Sequence, residues 1–202
     1  MGKKVTIIDY GVGNLRSVMR AIEAAGADPV VTGSAEEIAA ADGIVLPGVG
    51  AFHEGMEQLG PVRETVCTAA RDVPLLGICL GMQMLMDSSE EHGLHPGLGL
   101  IPGCVRRFPS VPGIKVPHMG WNTVRPDKEE NPLFCGIKKG MYAYFVHSFY
   151  ADTTPDYTLA TTDYILPFAS AIVRGSVYGV QFHPEKSGAA GLGLLENFIG
   201  LI

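Results

Sequence analysis

Cysteines and long apolar runs are scarce in this chain, and both scarcities exclude whole classes of protein. Its 202 residues include four cysteines, at positions 67, 79, 104 and 135. They lie far apart in a chain long enough to form its own core, so we expect reduced thiols and no disulfide framework. No apolar run approaches the roughly 18 residues of a membrane-spanning helix, and the start lacks the pattern of a secretory signal. A cytoplasmic location is therefore expected.

Positive charge is also scarce. The chain has 15 lysines and arginines against 21 aspartates and glutamates, a net charge of -6, and no basic tract longer than pairs such as Lys3-Lys4. A nucleic acid or an anionic membrane is therefore not an expected partner. His92 and His95 have no nearby cysteine or helical pattern that would complete a metal site, so neither a metal nor a cofactor is expected.

Length and a hydrophobic content of 47% favour one domain over residues 1–202. In the first half, short apolar runs alternate with helical periodicity, which predicts parallel strands joined by crossover helices. Strands are predicted at "KVTIID", "PVVT", "GIVLP" and "VPLLGIC". Helices are predicted over 15–25, 35–41, 55–70 and 80–86.

The second half is richer in strand-like segments, including "MYAYFVHSFYA" as one strand and a hairpin around "RGS". The tail "AAGLGLLENFIGLI" predicts a terminal helix. The expected fold is α/β, a mostly parallel open sheet flanked by helices, with an antiparallel β extension. In such sheets ligands bind beyond the carboxyl ends of the strands.

The segment "LLGICLGMQ" places Cys79 where a strand turns at once into a helix. Gly77 and Gly81 would relieve the crowding of such a turn, as in a nucleophile elbow with sulfur replacing oxygen. A helix N-terminus also favours the reactive thiolate. A buried structural cysteine is the alternative, and the segment alone does not separate the two.

Two further segments could complete a site for acyl transfer. In "VQFHPEKS", His183 follows an apolar strand and Glu185 lies two residues on, close enough to orient the imidazole. In "PGVGAF", Gly50 could pair its N–H with that of Leu80 as oxyanion donors. The alternatives are a surface histidine beside an unrelated acid, and an ordinary strand-to-helix turn.

Together, "PGVGAF", "GICLGMQ" and "VQFHPEKS" resemble the class I (triad-type) glutamine amidotransferases. The segments "IDYGVGNLRSV", "KVPHMGWN" and "YFVHSFY" are similar to the glutaminase subunits of imidazole glycerol phosphate synthases in that family. The resemblance implies that Cys79 attacks the side-chain amide of glutamine, His183 relays the proton to departing ammonia, and Glu185 orients His183. Water then releases glutamate from the thioester.

The resemblance also implies how the substrate is held and how activity is controlled. The glutamine contacts it implies are Gln83, Glu91 and the backbone of Ser148 and Phe149, the last standing where a tyrosine is often found. Without the resemblance, Gln83 and Glu91 would be interpreted as parts of a solvated helix face and loop. Gly48, Val49 and Gly50 are implied as a switch, because glycine tolerates both peptide orientations.

A partner is implied as well: a cyclase of the (β/α)8 type that forms a heterodimer with the chain. It receives the ammonia and makes imidazole glycerol phosphate and AICAR in histidine biosynthesis. Trp121 is the only tryptophan and suits an interface anchor, with a core aromatic as the alternative. The residues similar to the family's docking and signalling surface are Asn14, His118, Met119, Trp121, Tyr144 and Lys186.

Other functions remain open at this point. The chain could be a glutaminase subunit of another synthase, serving anthranilate, aminodeoxychorismate or pyridoxal phosphate synthesis. It could also be a thiol hydrolase with the same elbow, or a non-catalytic scaffold module. The scaffold is disfavoured because Cys79, His183 and Glu185 are all present.

Overall fold

The computed structural model describes residues 3–128 and 130–202, and a 13-stranded sheet runs through them. The strands are β1 (Lys4–Ile8), β2 (Asp28–Thr32), β3 (Ile44–Gly48), β4 (Leu75–Cys79), β5 (Met86–Ser89), β6 (His95–Pro96), β7 (Ile101–Arg107), β8 (His118–Pro126), β9 (Met141–His147), β10 (Phe149–Asp152), β11 (Thr158–Asp163), β12 (Pro167–Arg174) and β13 (Val177–Val180). The helices are α1 (Leu15–Ala24), α2 (Ala35–Ala39), α3 (Phe52–Leu59), α4 (Arg63–Ala69), α5 (Leu80–Met84) and α6 (Gly188–Gly200). Short 3-10 helices lie at Gly60–Val62, Pro132–Phe134 and Pro184–Lys186.

The parallel part of the sheet has the order β2-β1-β3-β4-β13. Every residue of β3 and β4 is buried, because helices cover both faces, and this explains their continuous apolar sequences. Alternate residues of β3 enter different cores: Val45 packs with α1 and α6, whereas Ile44 and Leu46 pack with α2, α3, α4 and α5. The sheet thus separates two hydrophobic cores.

The antiparallel part continues from β13 through β12 and β10 to β7. Strand β11 pairs with β12 and β8, and β8 pairs with β9. Arg174 pairs with Val177 across the turn between β12 and β13, where Gly175 has φ +60°, so the hairpin predicted around "RGS" is confirmed. The open α/β sheet with an antiparallel extension is likewise confirmed.

Two predicted elements are each divided in the structure. The helix predicted over 55–70 is two helices, α3 and α4, separated at Gly60–Val62, where Pro61 lacks the N–H that a continuous helix needs. The strand predicted at "MYAYFVHSFYA" is divided at Ser148, because β9 pairs with β8 whereas β10 pairs with β7 and β12. The division places Ser148 between the two strands, where its carbonyl accepts from the N–H of Phe108 at 3.1 Å.

Three strand ends meet at one edge of the sheet. Gly48 at the end of β3 pairs with Cys79 at the end of β4, and Ile78 pairs with Val180 at the end of β13. The loops after these strands are therefore neighbours, at the edge where open α/β sheets bind ligands. Along residues 3–128 and 130–202, no helix has the length and apolar content needed to cross a bilayer.

Candidate active site

The backbone of Cys79 is strained. This residue ends β4 with φ +56° and ψ −109°, and α5 begins at the next residue. A non-glycine residue in such a region costs about 1–3 kcal/mol, which the surrounding structure must offset. Only 7% of Cys79 is exposed. The predicted sharp turn from strand to helix is present.

Three glycines allow the elements around this turn to pack closely. A Cβ on Gly77 would lie 2.8 Å from backbone atoms of Gly81, so the predicted reason for Gly77 is confirmed. A Cβ on Gly81 would overlap the carbonyl oxygen of Leu46 on β3, a constraint that the sequence did not reveal. A Cβ on Gly48 would lie 3.0 Å from that of Leu80. Strand β3 and helix α5 therefore meet almost backbone to backbone.

His183 and Glu185 form a buried pair in the loop after β13. Nδ1 of His183 lies 2.8 Å from Oε1 of Glu185, and their side chains are 2% and 1% exposed. Because the carboxylate accepts, Nδ1 carries the proton. Among the described residues, Nε2 of His183 has no hydrogen-bond partner, although it is buried. This nitrogen is therefore free to exchange a proton with a neighbouring group.

Opposing effects act on the pKa of His183. Burial lowers it, but the neighbouring Cys79 and Glu185 outweigh burial and raise the pKa to about 9. At neutral pH the ring is therefore an imidazolium, which can donate the proton of Nε2.

A cavity of about 340 Å³ opens beside the sulfur of Cys79. It is lined by nine of the residues predicted for the site, which come from loops far apart in the sequence. Gly48 is buried at the end of β3, and Glu185 acts on the cavity through His183. The nine residues are Val49, Gly50, Cys79, Leu80, Gln83, Glu91, Ser148, Phe149 and His183.

Gln83 and Glu91 each use one polar atom within the protein. Nε2 of Gln83 donates to the carbonyl of Phe149 and to Oε1 of Gln181, both at 3.0 Å. Oε2 of Glu91 accepts from the N–H of Phe52, the first residue of α3, at 2.7 Å. In the described part of the chain, Oε1 of neither side chain has a hydrogen bond, so both remain available to a ligand.

Sequence reasoning missed several residues of the site. Pro117, Val146 and His147 also line the cavity, and Nε2 of Gln181 lies 3.7 Å from the sulfur of Cys79. Tyr10 is buried, and its hydroxyl donates to the carbonyl of Pro47 at 2.7 Å, just before the Gly48 loop. His147, Gln181 and Tyr10 all occur in segments that carried the family resemblance. Their contacts are long-range, and residue spacing does not reveal them.

Five of the six predicted docking residues are exposed or half-buried. Met119 and Trp121 are 63% and 57% exposed, and Trp121 packs edge-on against Tyr144. Nζ of Lys186 lies 5.7 Å from the centre of the Tyr144 ring. Asn14 is exposed at the start of α1.

The prediction that the sixth residue, His118, is a docking contact is wrong. Only 3% of it is exposed, so its ring cannot form a docking contact. Successive side chains of a strand point to opposite faces, and in β8 Met119 and Trp121 take the outer face. The His118 ring is turned inward, where it stacks on Phe145 and Tyr164.

Comparison with known proteins gives consistent matches. The model of the family "Glutamine amidotransferase class-I" matches residues 6–201. The chain is 54% identical over 200 residues to "Imidazole glycerol phosphate synthase subunit HisH" of Methanosarcina mazei, covering 98% of both chains. It is 52% identical over 205 residues to the subunit of the same name from Natronomonas pharaonis, covering 97% of this chain and 94% of that one.

A solved structure supports the fold. PurLQS from Thermotoga maritima superposes with a TM-score of 0.75, covering 99% of this chain and 99% of that one. Its sequence is 18% identical, so this likeness concerns the fold alone.

Replacing Gly81 by alanine tests the close packing at the turn. Because the new Cβ would overlap the backbone of Leu46, we expect Gly81→Ala to lower the free energy of unfolding by about 3 kcal/mol. In the control Gly193→Ala, the helical site in α6 has open space, and we expect stabilisation by about 0.5–1 kcal/mol. Urea unfolding measures both, and equal effects would contradict the packing described.

The titration of His183 tests the buried pair. We expect a midpoint near pH 9 by NMR, and a lower midpoint in Cys79→Ala because the sulfur is one of the groups that raise the pKa. Since the folded-state pKa exceeds the ordinary 6.5, the stabilisation is complete below that pH and is lost as the pH rises through about 9. A wild-type midpoint at or below 6.5 would contradict this account.

Proposed function

Because the chain belongs to the class-I glutamine amidotransferase family, we infer that it is the glutaminase subunit of an imidazole glycerol phosphate synthase, in histidine biosynthesis. One observation supports the chemistry most directly. The strained Cys79 and the His183–Glu185 pair meet at a single cavity that Gln83 and Glu91 also line, and the Oε1 atoms of those two side chains have no hydrogen bond within the described residues. A nucleophile, a proton carrier and substrate contacts are thus present together.

In the proposed reaction, the thiolate of Cys79 attacks the side-chain amide carbon of glutamine. The carbon–nitrogen bond breaks as Nε2 of His183 gives its proton to the departing nitrogen, which releases ammonia. His183 then takes a proton from water, whose oxygen attacks the thioester, and glutamate leaves as the thiolate re-forms. Glu185 holds the proton on Nδ1 of His183 throughout.

Backbone N–H groups at the cavity would stabilise the tetrahedral intermediate. We assign Leu80 and Gly50 as the donors, because Leu80 opens α5 and both residues line the cavity. Gly50 has φ +102°, and apart from its two chain neighbours none of the described residues has an atom within 4 Å of a Cβ placed there, so its peptide has room to turn. Tyr10 anchors the carbonyl of Pro47, which confines the proposed switch to Gly48, Val49 and Gly50.

The cavity offers complementary contacts to glutamine. The Glu91 carboxylate suits the substrate's α-ammonium group, and Oε1 of Gln83 can accept a further hydrogen bond. Ser148 and Phe149 line the cavity where β9 gives way to β10, so their backbone can contact the substrate. Since Phe149 would contribute through its backbone, the phenylalanine should serve as well as tyrosine.

A glutaminase that belongs to a synthase implies a second polypeptide. We propose that this partner is a cyclase of the (β/α)8 type, which docks on Met119, Trp121, Tyr144, Lys186 and Asn14 in a heterodimer. Two large exposed apolar side chains beside an aromatic ring and a cation have the composition of an interface centre. Direct transfer to the cyclase would keep ammonia from escaping into solvent.

The other enzymatic interpretations have less support. Relatives that are 52% and 54% identical carry the name of one synthase, which disfavours the anthranilate, aminodeoxychorismate and pyridoxal phosphate alternatives. A thiol hydrolase would not need the exposed patch that Met119 and Trp121 form on β8. Its activity would also not depend on a second polypeptide.

Glutamate release from glutamine tests the proposed function. It is measured with the chain alone, with the cyclase, and with the cyclase plus its ribonucleotide ligand. We expect strong stimulation in the last case, and a loss of at least about 10³-fold in Cys79→Ala, because the nucleophile is removed. The matched control Cys135→Ala changes an exposed thiol outside the cavity and should keep wild-type activity. Stimulated activity in Cys79→Ala would rule out the mechanism.

A further inference from the structure

Two buried histidines have no role in the proposed reaction. His118 is 3% exposed and His147 6% exposed, and they face each other across β8 and β9. Nδ1 of His118 lies 3.0 Å from Nε2 of His147, and Nδ1 of His147 lies 2.7 Å from the carbonyl oxygen of Phe149. His147 also lines the cavity beside Cys79.

The hydrogen bonds of this pair have one consistent direction. The carbonyl of Phe149 can only accept, so Nδ1 of His147 carries a proton and its Nε2 accepts from Nδ1 of His118. Nε2 of His118 then accepts from Nδ2 of Asn122 at 3.2 Å. The same Nδ2 donates to the carbonyl of Asp163 at 2.8 Å, which fixes the amide orientation. Both rings are therefore neutral with the proton on Nδ1.

The electrostatic surroundings agree with this assignment. Burial lowers the pKa of His118 to about 4, and burial is also the largest effect lowering the pKa of His147, to about 3. Both rings are therefore neutral at physiological pH, as the direction of the hydrogen bonds requires.

At its inner end the chain of hydrogen bonds reaches the nucleophile. The carbonyl of Phe149 accepts a second bond, from Nε2 of Gln83, and that nitrogen also donates to Oε1 of Gln181. Gln181 is fully buried, and its Nε2 lies 3.7 Å from the sulfur of Cys79. His147 and Gln83 together hold the backbone that we propose as a glutamine contact, and Gln181 continues the chain to the sulfur.

At its outer end this chain of hydrogen bonds begins on β8, the strand that carries the exposed patch. Asn122 follows Trp121, and His118 precedes Met119, so the polar chain and the patch occupy opposite faces of β8. Any displacement of this strand would move both.

We propose that His147, fixed by His118, is a positioning residue for glutamine hydrolysis, through which β8 determines the placement of the Phe149 carbonyl and the Cys79 sulfur. This inference rests on the proposed function. We name the set of Asn122, His118, His147, Gln83 and Gln181 the histidine relay.

The substitution His118→Phe separates a positioning role of the pair from a purely structural one. The ring of His118 stacks on Tyr164 at 4.0 Å and on Phe145 at 4.8 Å, and a phenylalanine would keep these contacts. His118→Phe therefore removes the two nitrogens while leaving the aromatic packing. His53→Phe is a matched control, because that half-exposed ring is stacked on His95 at 4.3 Å and lies outside the relay.

The test combines ring ¹⁵N NMR of the full chain with glutaminase kinetics of the complete complex with its cyclase. We expect the neutral Nδ1–H tautomer for both His118 and His147 in the wild type. In His118→Phe we expect the Nε2 resonance of His147 to shift, because that nitrogen loses its donor while the carbonyl of Phe149 still holds the proton on Nδ1. We also expect His118→Phe to lose about tenfold in kcat/KM, as for one hydrogen bond in the relay, and His53→Phe to match the wild type.

Three results would overturn the proposal. They are an Nε2–H tautomer or an imidazolium at either histidine at neutral pH, an unchanged His147 signal in His118→Phe, and kinetics of that variant equal to the control. The wild-type tautomers need no substitution, so they test the relay even if the variant does not fold. A wild-type complex that releases no glutamate would instead overturn the proposed function.

Discussion

The backbone of Cys79 is the constraint on which the other features of the site depend. A positive φ at a residue with a side chain is unfavourable, and it persists here because β4 is buried between β3 and β13 and cannot relax without disrupting both pairings. The same pairings align Gly48 with Cys79 and Val180 with Ile78. The loops that carry Gly50 and His183 are therefore brought to the sulfur by strand register.

The second constraint on the site is the charge of His183. Burying an imidazole disfavours its charged form, yet His183 is held in that form by Glu185 on one side and Cys79 on the other. The carboxylate is nearly inaccessible to water, so its effect on the ring is screened little. The ring is therefore charged before substrate enters, while the wall that we propose as the glutamine contact is held by neutral polar groups of the histidine relay.

The sequence alone was sufficient for features that depend on local residue patterns. The parallel strands, the turn at Cys79 and the pair at His183 follow from apolar runs, glycine placement and a two-residue spacing. Features that depend on distant contacts were missed. Gln83 meets Gln181 across 98 positions, and His118 meets His147 across 29, so spacing gave no indication of either bond. The inward orientation of His118 was missed because β8 turns its apolar residues, Met119 and Trp121, outward.

A covalent intermediate on Cys79 is the central claim, and acid-quenched mass spectrometry tests it most directly. The chain with its cyclase and ribonucleotide ligand is mixed with glutamine, quenched during turnover and digested. The account predicts a glutamyl thioester on the peptide that contains Cys79, and none at Cys67, Cys104 or Cys135. Glutamate release with an adduct on another cysteine, or an adduct that persists in Cys79→Ala, would contradict it.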